Sequence, residues 1–294
     1  MGDEHKRQRP WEAEIAVKLP GDAGFSEAEH WAWGKIIRGE TADMRLSTGS
    51  DDGAGEAANE EIDGADGKKT LKPWPQTRVL SARFVDTILF HEPWASAKVK
   101  PWVDVKNAWV KGQLNWVNSI IKDLLGLDHC RIDEKLLWEG ARFGESISLE
   151  GSRLEHGLSG DKLQVEGSIY CRKAFKAEAE LRLLSARIGS NLEFSGATLR
   201  KGVAAHGLQV EGNFFCDDGF TAEGAVGLIG AHIGGLADFE GATLAKGLNA
   251  SRLRVDDDLS CNALKANGDI RLVGARVERS GDEQQRDGEP EPAA

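Results

Sequence analysis

The chain has 294 residues, a formal charge of −11 and four cysteines, which gives room for one core-bearing unit plus a cap. The charge is uneven: residues 48–66 carry seven acids and no base, residues 280–294 carry five acids and one Arg, and the remainder is formally neutral. That balance argues against a basic nucleic-acid surface, and MGDEHKRQRP leads into no apolar stretch of a signal peptide.

In chain order, residues 1–47 form an N-terminal helical segment. Ser26 with Glu29 makes a capping box, and Glu27–Arg38 (EAEHWAWGKIIR) is predicted as a helix that stops at Gly39. Residues 48–72 are rich in Gly, Ala and acids and read as an acidic flexible linker. Residues 73–101 hold an amphipathic helix, Arg78–Phe90, with Leu80, Phe84 and Ile88 on its apolar face and His91–Glu92–Pro93 ending it. It is expected to cap the first repeat that follows. A membrane-surface helix is the alternative, but the polar side lacks the Lys and Arg such helices carry. All nine tryptophans fall at or before Trp138, either as a ligand platform or as large cap side chains.

From about Val103 to Val277 apolar pairs recur at steps of 5 and 6 residues. In Leu181–Gly202 the triplets end at Leu183, Ile188, Phe194 and Leu199, and the beat slips to 6 at Ala177 and Ala222. A helix needs a period of about 3.6. Apolar residues at i and i−2 describe a short strand instead. Four such strands per 22 residues make one coil of a solenoid. Stacking i on i+22 yields four inward columns: Val105 to Cys261, Val110 to Ala266, Trp116 to Leu272 and Ile121 to Val277. The fold expected over residues 102–278 is therefore an all-β solenoid of about eight coils. Its core includes Phe194, Leu199, Val210, Cys216, Leu228, Ile233, Phe239, Leu244, Val255, Cys261 and Leu272.

The triplets Ala186–Arg187–Ile188, Ala197–Thr198–Leu199, Ala231–His232–Ile233 and Ala242–Thr243–Leu244 resemble the small–x–aliphatic core of pentapeptide-repeat proteins. That resemblance implies a right-handed, four-sided β-helix. The stretches LRLLSARIGSNLEFSGATL and VGLIGAHIGGLADFEGATL look closer still to a group of bacterial proteins with GARIGG and GATL repeats. The likeness covers roughly residues 76–277. Members of that group are often labelled oxidoreductase or membrane-associated oxidoreductase, and some continue into a C-terminal membrane segment. Some pentapeptide-repeat proteins mimic DNA through an acidic solenoid; the neutral repeat region here speaks against that role.

Chemical constellations are absent from the sequence. There is no Walker A, CxxC, HExxH or GxSxG motif, and Gly224, Gly227 and Gly230 fall within the repeat rather than in a βαβ unit. His129–Cys130 is a two-residue neighbour pair, weak as a zinc signal. Asp217–Asp218 and Asp256–Asp257–Asp258 sit at coil corners and read as solvated turns rather than calcium sites. Cys171, Cys216 and Cys261 share a column on alternate coils about 10 Å apart, beyond disulfide reach, and read as small core residues.

The expectation is a non-catalytic scaffold or protein-interaction module, with no cofactor, no metal and an unknown protein partner. The alternative is the oxidoreductase that the resemblance implies. No run of about 18 apolar residues predicts a membrane span, so the expected location is cytoplasmic, with peripheral membrane association as the variant. Residues 279–294 read as a disordered acidic tail without an apolar residue to cover the last coil. That end is expected to be closed by a second copy, as an end-to-end homodimer, or continued by further chain that relatives keep. The tail would then act as a charged gatekeeper against further stacking.

Overall fold

The computed structural model of the chain describes residues 17–20, 24–48, 61–63 and 69–278. About eight coils of about 22 residues wind into a right-handed parallel β-solenoid. Each coil supplies a short strand to four faces, taken here in chain order. The first face runs from Trp102–Lys106 to Leu259–Ser260, and the second from Trp109–Lys111 to Lys265–Ala266. The third runs from Leu136–Leu137 to Ile270–Arg271, and the fourth from Ile120–Ile121 to Arg276–Val277.

Parallel pairing fixes which side chains stack. On the second face Val110 pairs with Ile132, then Leu154, Ala177, Leu199, Ala222, Leu244 and Ala266 follow in register. On the fourth, Ile121, Phe143, Val165, Ile188, Val210, Ile233, Val255 and Val277 stack likewise. Two of the inward columns of the sequence are thus reproduced residue for residue. The slips in the beat have a local cause. Before Ala177 the corner holds two left-handed residues, Lys173 (φ 52°) and Ala174 (φ 67°); before Ala222 it holds Asp218 (φ 50°) and Gly219 (φ 82°). The extra residue is absorbed in the corner, so strand pairing continues.

Volume is shared within each triplet. Where the beat slips, the first inward residue is Phe175 or Phe220 and the second is Ala177 or Ala222; on the next coils Ala197 and Ala242 precede Leu199 and Leu244, and all eight are buried. On this second face, layers about 4.8 Å apart at crystal-like packing density hold one large side chain per triplet; the other faces bury two in places, as with Leu192 and Phe194. Leu228 sits fully buried on the third face, between the coils carrying Ala205 and Ala250.

A polar ladder runs up the corner between the fourth and first faces. Ser146 Oγ accepts from Ser168 N (3.0 Å), Ser168 Oγ from Asn191 N (3.1 Å), Asn191 Oδ1 from Asn213 N (2.9 Å) and Asn213 Oδ1 from Leu236 N (2.8 Å). These acceptors occupy the space a side chain would need one coil on. A Cβ at Gly212 would lie 2.4 Å from Asn191 Oδ1, and one at Gly235 2.2 Å from Asn213 Oδ1.

The N-terminal third closes the first coil. Helix α1 (Glu27–Ile36) has the full Ser26/Glu29 capping box and ends just before Gly39 (φ 67°). Ala42–Asp43 then pairs with Val105–Lys106, and Val79–Ser81 pairs with Trp109–Lys111, each adding one strand to a face. Helix α2 spans only Ala82–Phe90. The predicted helix was placed from Arg78, but Val79–Ser81 finds strand partners and Ser81 becomes the N-cap. Leu80 is therefore a strand residue opposite Val110, not part of a helix face, and it is buried together with Phe84 and Ile88. Within the stretch read as a linker, Glu61–Asp63 pairs antiparallel with Lys69–Leu71. The acidic residues before it and the tail 279–294 lie outside the described residues.

The inward columns hold up to Val255, and then lose cover. Cys261 is exposed and Leu272 is 44% exposed. Both occupy the predicted column, but no described coil lies beyond them, which corrects their assignment to the core. Leu228→Ala is expected to cost about 2–5 kcal/mol, the range for a buried leucine, whereas Val277→Ala on the last coil should cost under about 1 kcal/mol. Thermal melts of the two variants by circular dichroism compare them; equal losses would contradict the stacking.

Candidate functional site

Two surfaces concentrate exposed apolar side chains. At the open end, Ile270 (44%), Leu272 (44%), Val273 (74%) and Val277 (47%) face solvent, and Leu259, Leu264 and Ala266 are half-buried. The strands Leu259–Ser260, Lys265–Ala266, Ile270–Arg271 and Arg276–Val277 each stand at the edge of their sheet. All four faces thus leave backbone groups without a strand partner among the described residues.

At the other end, a cleft of about 490 Å³ lies between the cap and the first coil, with Leu89, Phe90, Val99, Lys98, Ile120 and Asp123 in its lining. Its floor is a tie rather than a reactive group. Lys98 Nζ donates to Ile88 O (2.6 Å) at the end of α2 and to Ala95 O (2.8 Å) in the short helix α3 (Trp94–Ala97), and lies 3.4 Å from Asp123 Oδ2. Burial pulls the Lys98 ammonium below the ordinary lysine range, and the Asp123 charge opposes this. Burial pushes the Asp123 carboxyl up, against the pull of Lys98. With three acceptors around it, Lys98 is committed to holding cap to coil. Close by, Asp86 Oδ1 accepts from Trp116 Nε1 (2.7 Å), and Trp116 stacks on Trp138 with ring centres 5.3 Å apart and planes within 3°. The tryptophans Trp31, Trp33, Trp74, Trp116 and Trp138 are all buried, so their aromatic area serves the core and not an open platform.

One arrangement has no sequence signal. The guanidinium groups of Arg78 (5.0 Å) and Arg131 (4.6 Å) both pack on the Trp74 ring, and Arg131 Nη1 donates to Lys72 O. This stack straps residues 72–78 across the second face. Arg131 is an outward residue of the repeat, and nothing local marks it as buried.

His129 and Cys130 point apart. His129 turns the corner (φ 52°) and is half-exposed, while Cys130 is buried and its amide donates to Ser152 Oγ (2.8 Å). Among the described residues, no group of three or more His, Cys, Asp or Glu side chains is placed to hold a metal ion, the corners Asp217–Asp218 and Asp256–Asp258 included. Gly227 forms part of a third-face strand and Gly230 a corner. Burial pushes the thiols of Cys130, Cys171 and Cys216 far above the ordinary range. No described helix is long and apolar enough to cross a membrane.

No protein-family model, curated protein or solved structure matches the chain.

Replacing Lys98 by Met should cost about 3–5 kcal/mol, the penalty for breaking a buried pair; Asp123→Asn should cost less, since both carbonyls keep their donor. Thermal unfolding of the two variants tests that order. Alkylation of the native protein should modify Cys261 rapidly and the other three cysteines only after denaturant is added, read by mass spectrometry. Rapid native labelling of Cys130, Cys171 and Cys216 would contradict their burial.

Proposed function

We propose that this chain is a non-catalytic β-solenoid interaction module, and that its open last coil joins a second copy end to end. The observation that carries this reading is the last coil itself. Ile270, Leu272, Val273 and Val277 are exposed together on a coil whose four strands are all sheet edges. Unpaired strand edges template further pairing, and an isologous contact of this kind closes after one copy is added. The rest of the chain supports a passive role: the inward side chains form one continuous core, and the buried Lys98, Arg78 and Arg131 hold structure together.

The oxidoreductase label that accompanies the resemblance attaches to no cluster of side chains among the described residues. A flavin, haem or nicotinamide absorbance in purified protein would favour it. For the interaction module, light scattering on the intact chain should report a dimer. Leu272→Asp together with Val273→Asp should shift it to monomer while leaving the melting temperature within a few degrees, because both residues are exposed. A strictly monomeric parent at high concentration would sink the end-on association.

A further inference from the structure

From Arg142 to His232 the outward side chains of the fourth face alternate with a two-coil period. Parallel pairing sets Arg142, Gln164, Arg187, Gln209 and His232 on successive rungs, followed by Arg254 and Arg276. From Arg142 onward every rung is Arg, Gln or His, and none is acidic. Arg142 and Arg187 are exposed and have no ion pair among the described residues; Arg187 Nε donates to Gln209 Oε1 (3.1 Å).

The position two residues further on alternates in step. Gly144, Gly189 and Gly234 stand beside Arg142, Arg187 and His232, whereas Glu166 and Glu211 stand beside Gln164 and Gln209. The fold enforces glycine at two of these three places. A Cβ at Gly189 would lie 2.3 Å from Glu166 O, and one at Gly234 2.3 Å from Glu211 O. Arg142 and Arg187 stand open and without an acid two residues on, and the amide rungs Gln164 and Gln209 have an exposed carboxylate there; at the last two rungs the alternation ends, with Asp256 beside Arg254 and Glu278 beside Arg276. His232 takes the third place in the series, with Nε2 2.8 Å from Asp256 Oδ2.

We propose that this face binds a linear acidic glycan in which every second sugar carries a carboxylate or sulfate. Charge and period both select it. Adjacent coils lie about 4.8 Å apart, so Arg142 and Arg187 stand about 9.6 Å apart. Side chains on one side of an extended acidic peptide repeat at about 6.7 Å, and phosphates of a nucleic-acid strand rise by about 3.4 Å; neither keeps step with the rungs. Two sugars of an extended, equatorially linked glycan span close to two coils. Arg142 and Arg187 meet the anionic sugars by charge-assisted hydrogen bonds, over glycine corners that let a ring lie close. The Gln–Glu rungs between them offer donors and acceptors to the hydroxyls of the uncharged sugar.

The inference rests on the interaction-module reading but uses a different surface from the coil end. The test uses the full chain with size-defined hyaluronan oligosaccharides, which carry one carboxylate per two sugars, in titration calorimetry. Hyaluronan should bind, more weakly as salt rises. Arg142→Gln and Arg187→Gln should each weaken it about tenfold, in line with loss of one charged hydrogen bond. Arg182→Gln on the third face should leave it unchanged, and all three variants should melt like the parent. Absence of hyaluronan binding would overturn the inference, as would equal binding of polyglutamate or a single-stranded oligonucleotide of the same charge, or equal weakening by Arg182→Gln. A chain that dimerises but ignores hyaluronan removes this inference alone; one that binds hyaluronan and carries a redox cofactor removes the non-catalytic reading alone.

Discussion

The backbone hydrogen bonds between coils are the constraint on which everything else in this molecule rests. They place each inward residue directly over its counterpart in the coil below, for instance Leu154 between Ile132 and Ala177. Once that register is fixed, side chains have no freedom to slide past one another. On the second face volume is then balanced within each triplet, with Phe175 accompanying Ala177 and Ala197 accompanying Leu199. The same constraint dictates the corners. An inserted residue is tolerated only where the chain adopts left-handed backbone, as at Lys173–Ala174 and Asp218–Gly219, because the strands on either side cannot give up their partners.

A solenoid built this way has two ends and four flat sides, and they meet different fates. The first end is covered. Two added strands and helix α2 extend the core past the first coil, Asp86 of α2 accepts from Trp116 of that coil, and Lys98 ties α2 and α3 to Asp123. Glu29 adds a second tie, since its carboxylate caps α1 and also accepts from Ser81 N (2.8 Å), the residue that caps α2. The last coil has no such cover among the described residues, so the apolar column continues into solvent. The proposed end-on association would cover both its side chains and its strand edges.

The sides present outward side chains in rows. Outward residues on one face recur at the coil spacing, so any preference for residue type becomes a ladder with a defined pitch. The fourth face shows this most plainly from Arg142 to Gln209, with Arg and Gln on alternate coils and glycine or glutamate beside them. An array of this kind suits a partner that is itself periodic and extended. Converging functional groups, as an enzyme cleft demands, are hard to build on a surface where neighbouring side chains all point away in parallel.

The repeat was legible in the sequence because a column needs apolar residues at nearly every turn, and a 5 and 6 beat over eight coils leaves little other interpretation. Coil length, the identity of the inward residues from Val105 to Val255 and the start of α1 at its capping box are all local or periodic properties. Neither period nor propensity could reveal what depends on contacts between distant segments. Val79–Ser81 has the apolar pattern of a helix, and only the free edge of the second face at Trp109–Lys111 turns it into a strand. Arg131 reads as an outward, solvated residue until Trp74, far earlier in the chain, covers it. Cys261 and Leu272 carry the same sequence signal as the buried members of their columns, yet burial is decided by whether a further layer lies above. That is a property of the assembled stack, and only the tertiary structure supplied it.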